Sequence, residues 1–170
     1  MKLFFAIILT YPMLMAFPIE LESIASDFNQ TICDDQNKTI VYTGTMKAKK
    51  PALAYWHYAT PVQKDIYVAN SGVTIIEPDL EQAIVKKLDN TIDLISILKS
   101  SKEINPTHYL ALYNGREYHI HLKNKTLSSI DYNDDFGNFT TINFFNVLHN
   151  GPIDSATLKA VIPKGFDIIR

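Results

Sequence analysis

Cys33 and the histidines at 57, 119, 121 and 149 are the residues whose types could support nucleophilic or metal chemistry. A cysteine nucleophile needs a base within hydrogen-bond reach and a depressed thiol pKa. Cys33 lies in Asn29-Gln30-Thr31-Ile32-Cys33-Asp34-Asp35, with no adjoining His or basic residue and no motif tying it to His57 or His149. It reads as a half-buried strand residue. His119 and His121 are two apart, so on a strand they share one side and form half of a metal site. Tetrahedral zinc takes three or four protein ligands, and no third accompanies them, so an exposed hairpin face is the simpler account. Asn29, Asn37 and Asn138 head Asn-x-Thr acceptor triplets and read as loop and cap residues. The remaining candidates are apolar with polar tips: Tyr55, Trp56 and Tyr58, grouped within four positions. Such side chains serve a cavity mouth or plain core packing equally well.

The elements that position these residues start after an export segment. Lys2 precedes the apolar run Leu3 to Ala16, which Pro12 interrupts and which gives way to Pro18-Ile19-Glu20. A membrane-spanning helix needs roughly 20 apolar residues. The shorter run reads as a signal peptide over residues 1–16, cleaved after Ala16, although Leu14 stands where a small residue is usual; a buried N-terminal helix is the competing reading. Residues 17–170 then form one domain, with no repeat, linker or low-complexity tract. The net charge of −2 becomes one unit more negative when Lys2 leaves. With no basic tract, nucleic acid and electrostatic docking on anionic lipid are excluded as partners. A single cysteine forbids an intramolecular disulfide. Cys33 also lies too far from the apolar run to carry a lipid anchor, so the exported product is expected to be soluble.

Leu21, Ile24, Ala25, Phe28 and Ile32 recur at helical spacing and predict an amphipathic helix. After that the period becomes two. Ile40–Ala48, Leu53–Tyr58, Asp65–Ala69, Val73–Glu77, Gln82–Leu88, Tyr109–Tyr113, Arg116–Leu122, Leu127–Tyr132 and Phe139–Phe145 read as strands. Asn70-Ser71-Gly72, Asn114-Gly115 and Asn133 to Asn138 supply the hairpin turns. Thr91–Lys99 breaks this rhythm: it follows a capping Asn90, ends on a basic residue, and is apolar on more than one face. The pattern predicts an α+β fold with one large curved antiparallel sheet. If two short helices cover its concave side only partly, an apolar cavity remains.

The run Lys47-Ala48-Lys49-Lys50-Pro51-Ala52-Leu53-Ala54-Tyr55-Trp56-His57-Tyr58-Ala59-Thr60-Pro61 resembles the signature of the periplasmic outer-membrane lipoprotein carrier family, LolA. The similarity continues through Val68 to Ala83, Thr141-Ile142-Asn143 and Ile162-Pro163-Lys164-Gly165-Phe166-Asp167-Ile168, and nearly the whole chain after residue 16 takes part. The resemblance implies an open, incomplete antiparallel β-barrel, a single strongly curved sheet, with short helices forming a lid over an apolar cavity. It implies a soluble, monomeric periplasmic chaperone that receives acylated lipoproteins from an inner-membrane lipoprotein-releasing ABC transporter and passes them to an outer-membrane acceptor, without catalysis, cofactor or metal. Under this resemblance Tyr55, Trp56 and Tyr58 border the cavity and Leu94, Ile95, Ile97 and Leu98 form the lid. Lys50 closes the lid by bonding a lid or loop carbonyl. Lys50 stands where the family favours Arg, and a Lys lacks the planar fork for a bidentate contact. Ala54 replaces an aromatic of the cavity strand, and no long C-terminal extension follows Arg170. A related open barrel that senses or stores lipid without shuttling it is the alternative.

Overall fold

The computed structural model describes residues 17–69, 72–87 and 93–170. The expected export segment 1–16, the expected turn residues Asn70-Ser71 and the expected helix start at Asn90 to Ile92 lie outside the described residues. In chain order the elements are β1 (Ser23–Cys33), β2 (Thr39–Lys49), β3 (Leu53–Thr60), β4 (Lys64–Ala69), β5 (Gly72–Glu77), β6 (Gln82–Lys87), α1 (Leu94–Ser100), β7 (Lys102–Asn105), β8 (His108–Tyr113), β9 (Arg116–Lys123), β10 (Thr126–Asn133), β11 (Phe139–His149) and β12 (Asp167–Ile169). They build a single sheet in the order β12-β6-β5-β4-β3-β2-β1-β11-β10-β9-β8-β7. All pairings are antiparallel except β12 on β6. The open curved sheet expected from the strand pattern is therefore present. One α-helix covers it among the described residues, with two 3-10 turns elsewhere, and no described helix is long and apolar enough to cross a membrane.

The expected helix over Leu21–Ile32 is instead β1, the strand that joins the two halves of the sheet by pairing with both β2 and β11. Ile24, Phe28 and Ile32 satisfy a helical period, but being four apart they also share one strand face. The intervening inward positions, Ser26 and Gln30, are polar, which hides the alternation. Both are buried and partnered: Ser26 Oγ donates to the Phe145 carbonyl at 2.7 Å, and Gln30 Oε1 accepts from Tyr58 Oη at 2.7 Å. Two neighbouring strands then satisfy the β1 backbone more fully than an isolated helix facing the sheet would.

Curvature has a local origin. The ladder slips by one residue between Ala25 and Asp27, Thr43 and Gly44, Leu127 and Ser129, and Glu103 and Asn105. Each bulge bends its strand and increases the twist. The main core fills the concave side, with Leu21, Ile24, Phe28, Met46, Ile95, Leu98, Ile120 and Leu127 essentially without exposure. Among the described residues, three buried apolar ones stand outside it: Ile76, Ala83 and Leu158. Strand parity puts Ile76 and its cross-strand partner Ala83 on the convex side. The chain after β11 crosses that side: Lys49 Nζ donates to the Ile153 carbonyl at 3.4 Å, Ser155–Leu158 packs on β3 and β4, and β12 reaches β6.

Candidate lipid-binding cavity

On β3 the pleat separates neighbours. Ala54, Trp56 and Tyr58 face the concave side, where Ala54 and Tyr58 are buried and Trp56 packs against the core. Tyr55 faces the other way, contrary to its expected place at the cavity. Its hydroxyl donates to Asp65 Oδ1 at 2.8 Å, its ring stacks on Tyr67 with centroids 4.8 Å apart, and His57 Nδ1 meets the same Asp65 oxygen at 2.8 Å. A period of two cannot place Tyr55 and Trp56 on one face.

Between the two halves of the sheet lies a cavity of about 340 Å³, at the small end of the roughly 300–1,000 Å³ usual for small-molecule sites. One wall comes from Ala54 and Trp56 of β3, Ile66 and Val68 of β4, and Val73 and Ile75 of β5. The opposite wall comes from Arg116 and Tyr118 of β9, Ile130 and Tyr132 of β10, and Ile142 and Phe144 of β11, with Leu94 and Ile97 of α1 across the top. All four apolar residues of helix α1 are buried in the main core, and two of them, Leu94 and Ile97, also border the cavity. Asp93, rather than Asn90, caps the helix. Its carboxylate accepts from the Ile95 amide at 3.0 Å and from Ser96 Oγ at 2.5 Å.

Tyr58 is a fixed part of the core floor. Besides its bond to Gln30, its ring packs edge-on against Phe28 and Tyr42, and Lys64 Nζ lies 4.5 Å from its centroid. Burial pushes the Tyr58 hydroxyl well above the usual phenol range and pulls the Lys64 ammonium down. Tyr58→Phe strands the buried Gln30 oxygen, and we expect it to cost about 1–3 kcal/mol in urea unfolding. A loss below about 0.5 kcal/mol would mean that Gln30 finds another donor.

The Lys50 ammonium pairs with the Glu22 carboxylate rather than with a carbonyl, while the Lys50 amide donates to the Glu22 carbonyl at 3.0 Å. The hydrogen bond from Lys50 holds Glu22 below the ordinary carboxylate value and raises Lys50. Lys99, in the last turn of α1, is lowered by its contact with Lys50. Two ammonium groups, one from the β2–β3 turn and one from the helix, therefore share the neighbourhood of Glu22, with Glu20 also acting on both.

The remaining chemistry-bearing residues do not assemble. Cys33 and His149 sit at opposite ends of β1, because His149 pairs with Ile24 and nine residues of strand span roughly 30 Å. His119 and His121 do share a face, where His108 joins them: its Nε2 lies 3.0 Å from His119 Nδ1, and its ring stacks on that of His121 at 4.8 Å. His121 Nε2 meets Asp131 Oδ2 at 3.0 Å. No group of three or more ligands placed to hold a metal occurs among the described residues. Desolvation first, then the neighbouring His121 and His119, lower the His108 pKa below the ordinary 6.5, and burial lowers that of His149. The unfolded chain therefore takes up protons at these positions before the folded one does. Stability should be full above about pH 6.5 and fall progressively below it. A lower melting temperature at about pH 5.5 than at about pH 7.5, with a smaller difference in His108→Asn, is the expected result. Equal slopes in parent and variant would remove His108 from the account.

The sequence profile described as "Outer membrane lipoprotein carrier protein LolA" matches residues 20–105. The outer-membrane lipoprotein carrier protein of Campylobacter jejuni is 38% identical over 157 residues, covering 92% of both chains. That of Helicobacter hepaticus is 34% identical over 158 residues, covering 92% of this chain and 88% of its own. A solved structure of an uncharacterized conserved protein from Thermus thermophilus has the same fold, with TM-score 0.52, 13% identity, and coverage of 87% of this chain and 90% of that one. On the profile match and on relatives this similar across most of both chains, the protein belongs to the LolA outer-membrane lipoprotein carrier family.

Proposed function

We propose that this chain is a periplasmic carrier, and not an enzyme, that shelters the acyl chains of lipoproteins between the inner and outer membranes. Residues 1–16 direct export and are removed after Ala16, leaving residues 17–170 as the carrier domain. Cargo comes from an inner-membrane lipoprotein-releasing ABC transporter and goes to an outer-membrane acceptor. The observation that carries this reading is the apolar cavity closed by α1, in a chain whose relatives are named for carrying lipoproteins. Burial favours acyl chains by about 0.8 kcal/mol per methylene, so a carrier also needs a means of release. Leu94 and Ile97 provide it by covering the empty cavity and so competing with cargo, while Trp56 forms the wall that cargo touches. The purified protein should release a tagged lipoprotein from inner-membrane spheroplasts, and failure to do so would refute the carrier reading.

Lys50 occupies Glu22 at the closed end of α1, beside Lys99, and is taken to help close the lid from the β2–β3 turn. Lys50→Leu should therefore bind cargo normally and hand it on more slowly. Release at the parental rate would make Lys50 a solvated surface charge.

A further inference from the structure

Arg116 is the only charged side chain among the described residues that line the apolar cavity. It also lines a second depression of about 370 Å³, formed with Asn114, Gly115, Glu117 and Asn133 to Asp135 at the turns after β8 and β10. One guanidinium thus stands where an apolar chamber adjoins a polar one, the layout an amphiphile requires at its own boundary. The polar rim is built firmly: Asp134 accepts from the Phe136 and Asn138 amides at 2.9 Å each and from Asn138 Nδ2 at 2.8 Å. Asp135, next along, is free of that scaffold and pairs with Arg116 Nη2 while its own side chain is 87% exposed. On the cavity side Arg116 lies 5.7 Å from the Tyr132 ring centroid, and Nη1 reaches Tyr118 Oη only at 3.5 Å.

Resting on the carrier reading, we propose that Arg116 marks the head end of the cargo: the acyl ester and amide carbonyls bond its guanidinium, the chains enter the cavity, and the polar head lies in the depression at the two turns. The chemistry favours uncharged acceptors. Asp135 and the Tyr132 ring already balance the positive charge, while a guanidinium has five N–H donors and those not engaged by Asp135 or Tyr118 are available. An anionic head would have to compete with Asp135 for the same fork.

Trp56 is the only tryptophan in the chain and lines the cavity, so its quenching by brominated chains reports binding directly. Three probes separate the contributions: the methyl ester of dibromostearic acid, dibromo-octadecane without a carbonyl, and dibromostearic acid itself. Arg116→Met should weaken the ester about tenfold and leave the hydrocarbon within about twofold, as expected for loss of one charge-assisted hydrogen bond. Asp135→Asn keeps the guanidinium and removes its counter-ion, so it should tighten the carboxylate probe about tenfold with the ester little changed. This second variant serves even if Arg116→Met fails to fold. Equal effects of Arg116→Met on ester and hydrocarbon, or no gain for the carboxylate in Asp135→Asn, would overturn the assignment. A parent protein that binds none of the probes would instead refute the carrier reading on which it rests.

Discussion

Ile95→Asp is expected to lower the melting temperature by about 10–20 °C, whereas Ile97→Asn, two residues away on the same helix, should lower it by clearly less, about half as much. Ile95 is 1% exposed and belongs to the main core. A carboxylate there loses its packing and is buried without a partner, costing several kcal/mol against a total stability of roughly 5–15. Ile97 is also a core residue, 3% exposed, but it borders the cavity, so an amide in its place has that open side to face. It should reduce binding of a fluorescent fatty acid by at least about tenfold, since the cavity loses apolar wall and gains a polar group. Circular dichroism melting and a titration on the same samples check both. If Ile95→Asp melts like the parent, the helix is not anchored in the core; if Ile97→Asn binds like the parent, α1 does not face the ligand.

Gly44→Ala should be at least as damaging, costing about 3 kcal/mol or more in chemical unfolding despite adding one methyl group. A Cβ at Gly44 would lie 1.9 Å from the His57 carbonyl oxygen and 3.0 Å from Phe28 Cε1. The nearer obstacle is backbone of β3, tied into ladders on both sides, so it cannot move aside as a flexible side chain would. The close approach occurs at the bulge where Gly44 pairs with Tyr58 and Thr43 with Thr60, leaving Ala59 as the extra residue. Loss of stability should also flatten this bend and reduce ligand binding. A variant within about 0.5 kcal/mol of the parent would show that the β2–β3 ladder can slip to accommodate the methyl group.

The strands β2 to β6 and β8 to β11 were legible because alternation and turn chemistry agree, whereas the short edge strands β7 and β12 carry too few residues to show a period. Asn114-Gly115, with positive φ at both positions, closes the hairpin where its sequence says it should. Residues 23–33 were not, because a spacing of four fits both periods and the deciding positions, Ser26 and Gln30, are polar inside. Their partners lie about 120 and 28 residues away in sequence, beyond the reach of a local pattern. Among the expected site residues, Trp56, Leu94 and Ile97 reach the cavity, Tyr58, Ile95 and Leu98 are core without lining it, and Tyr55 lies behind the sheet. Arg116 went unnoticed although a signal existed. It shares the parity of Tyr118, Ile120 and Leu122, so a charged residue heads an otherwise apolar inward row.

Helix α1 lies between β6 and β7 in the chain, yet these strands stand near opposite ends of the sheet. The helix is therefore a strap whose two ends are sewn to the two margins of an incomplete barrel. Because one chain joins the strap to both margins, opening of the margins and displacement of the strap are expected to accompany each other. A cross-link between the margins would then immobilise a helix that it never touches.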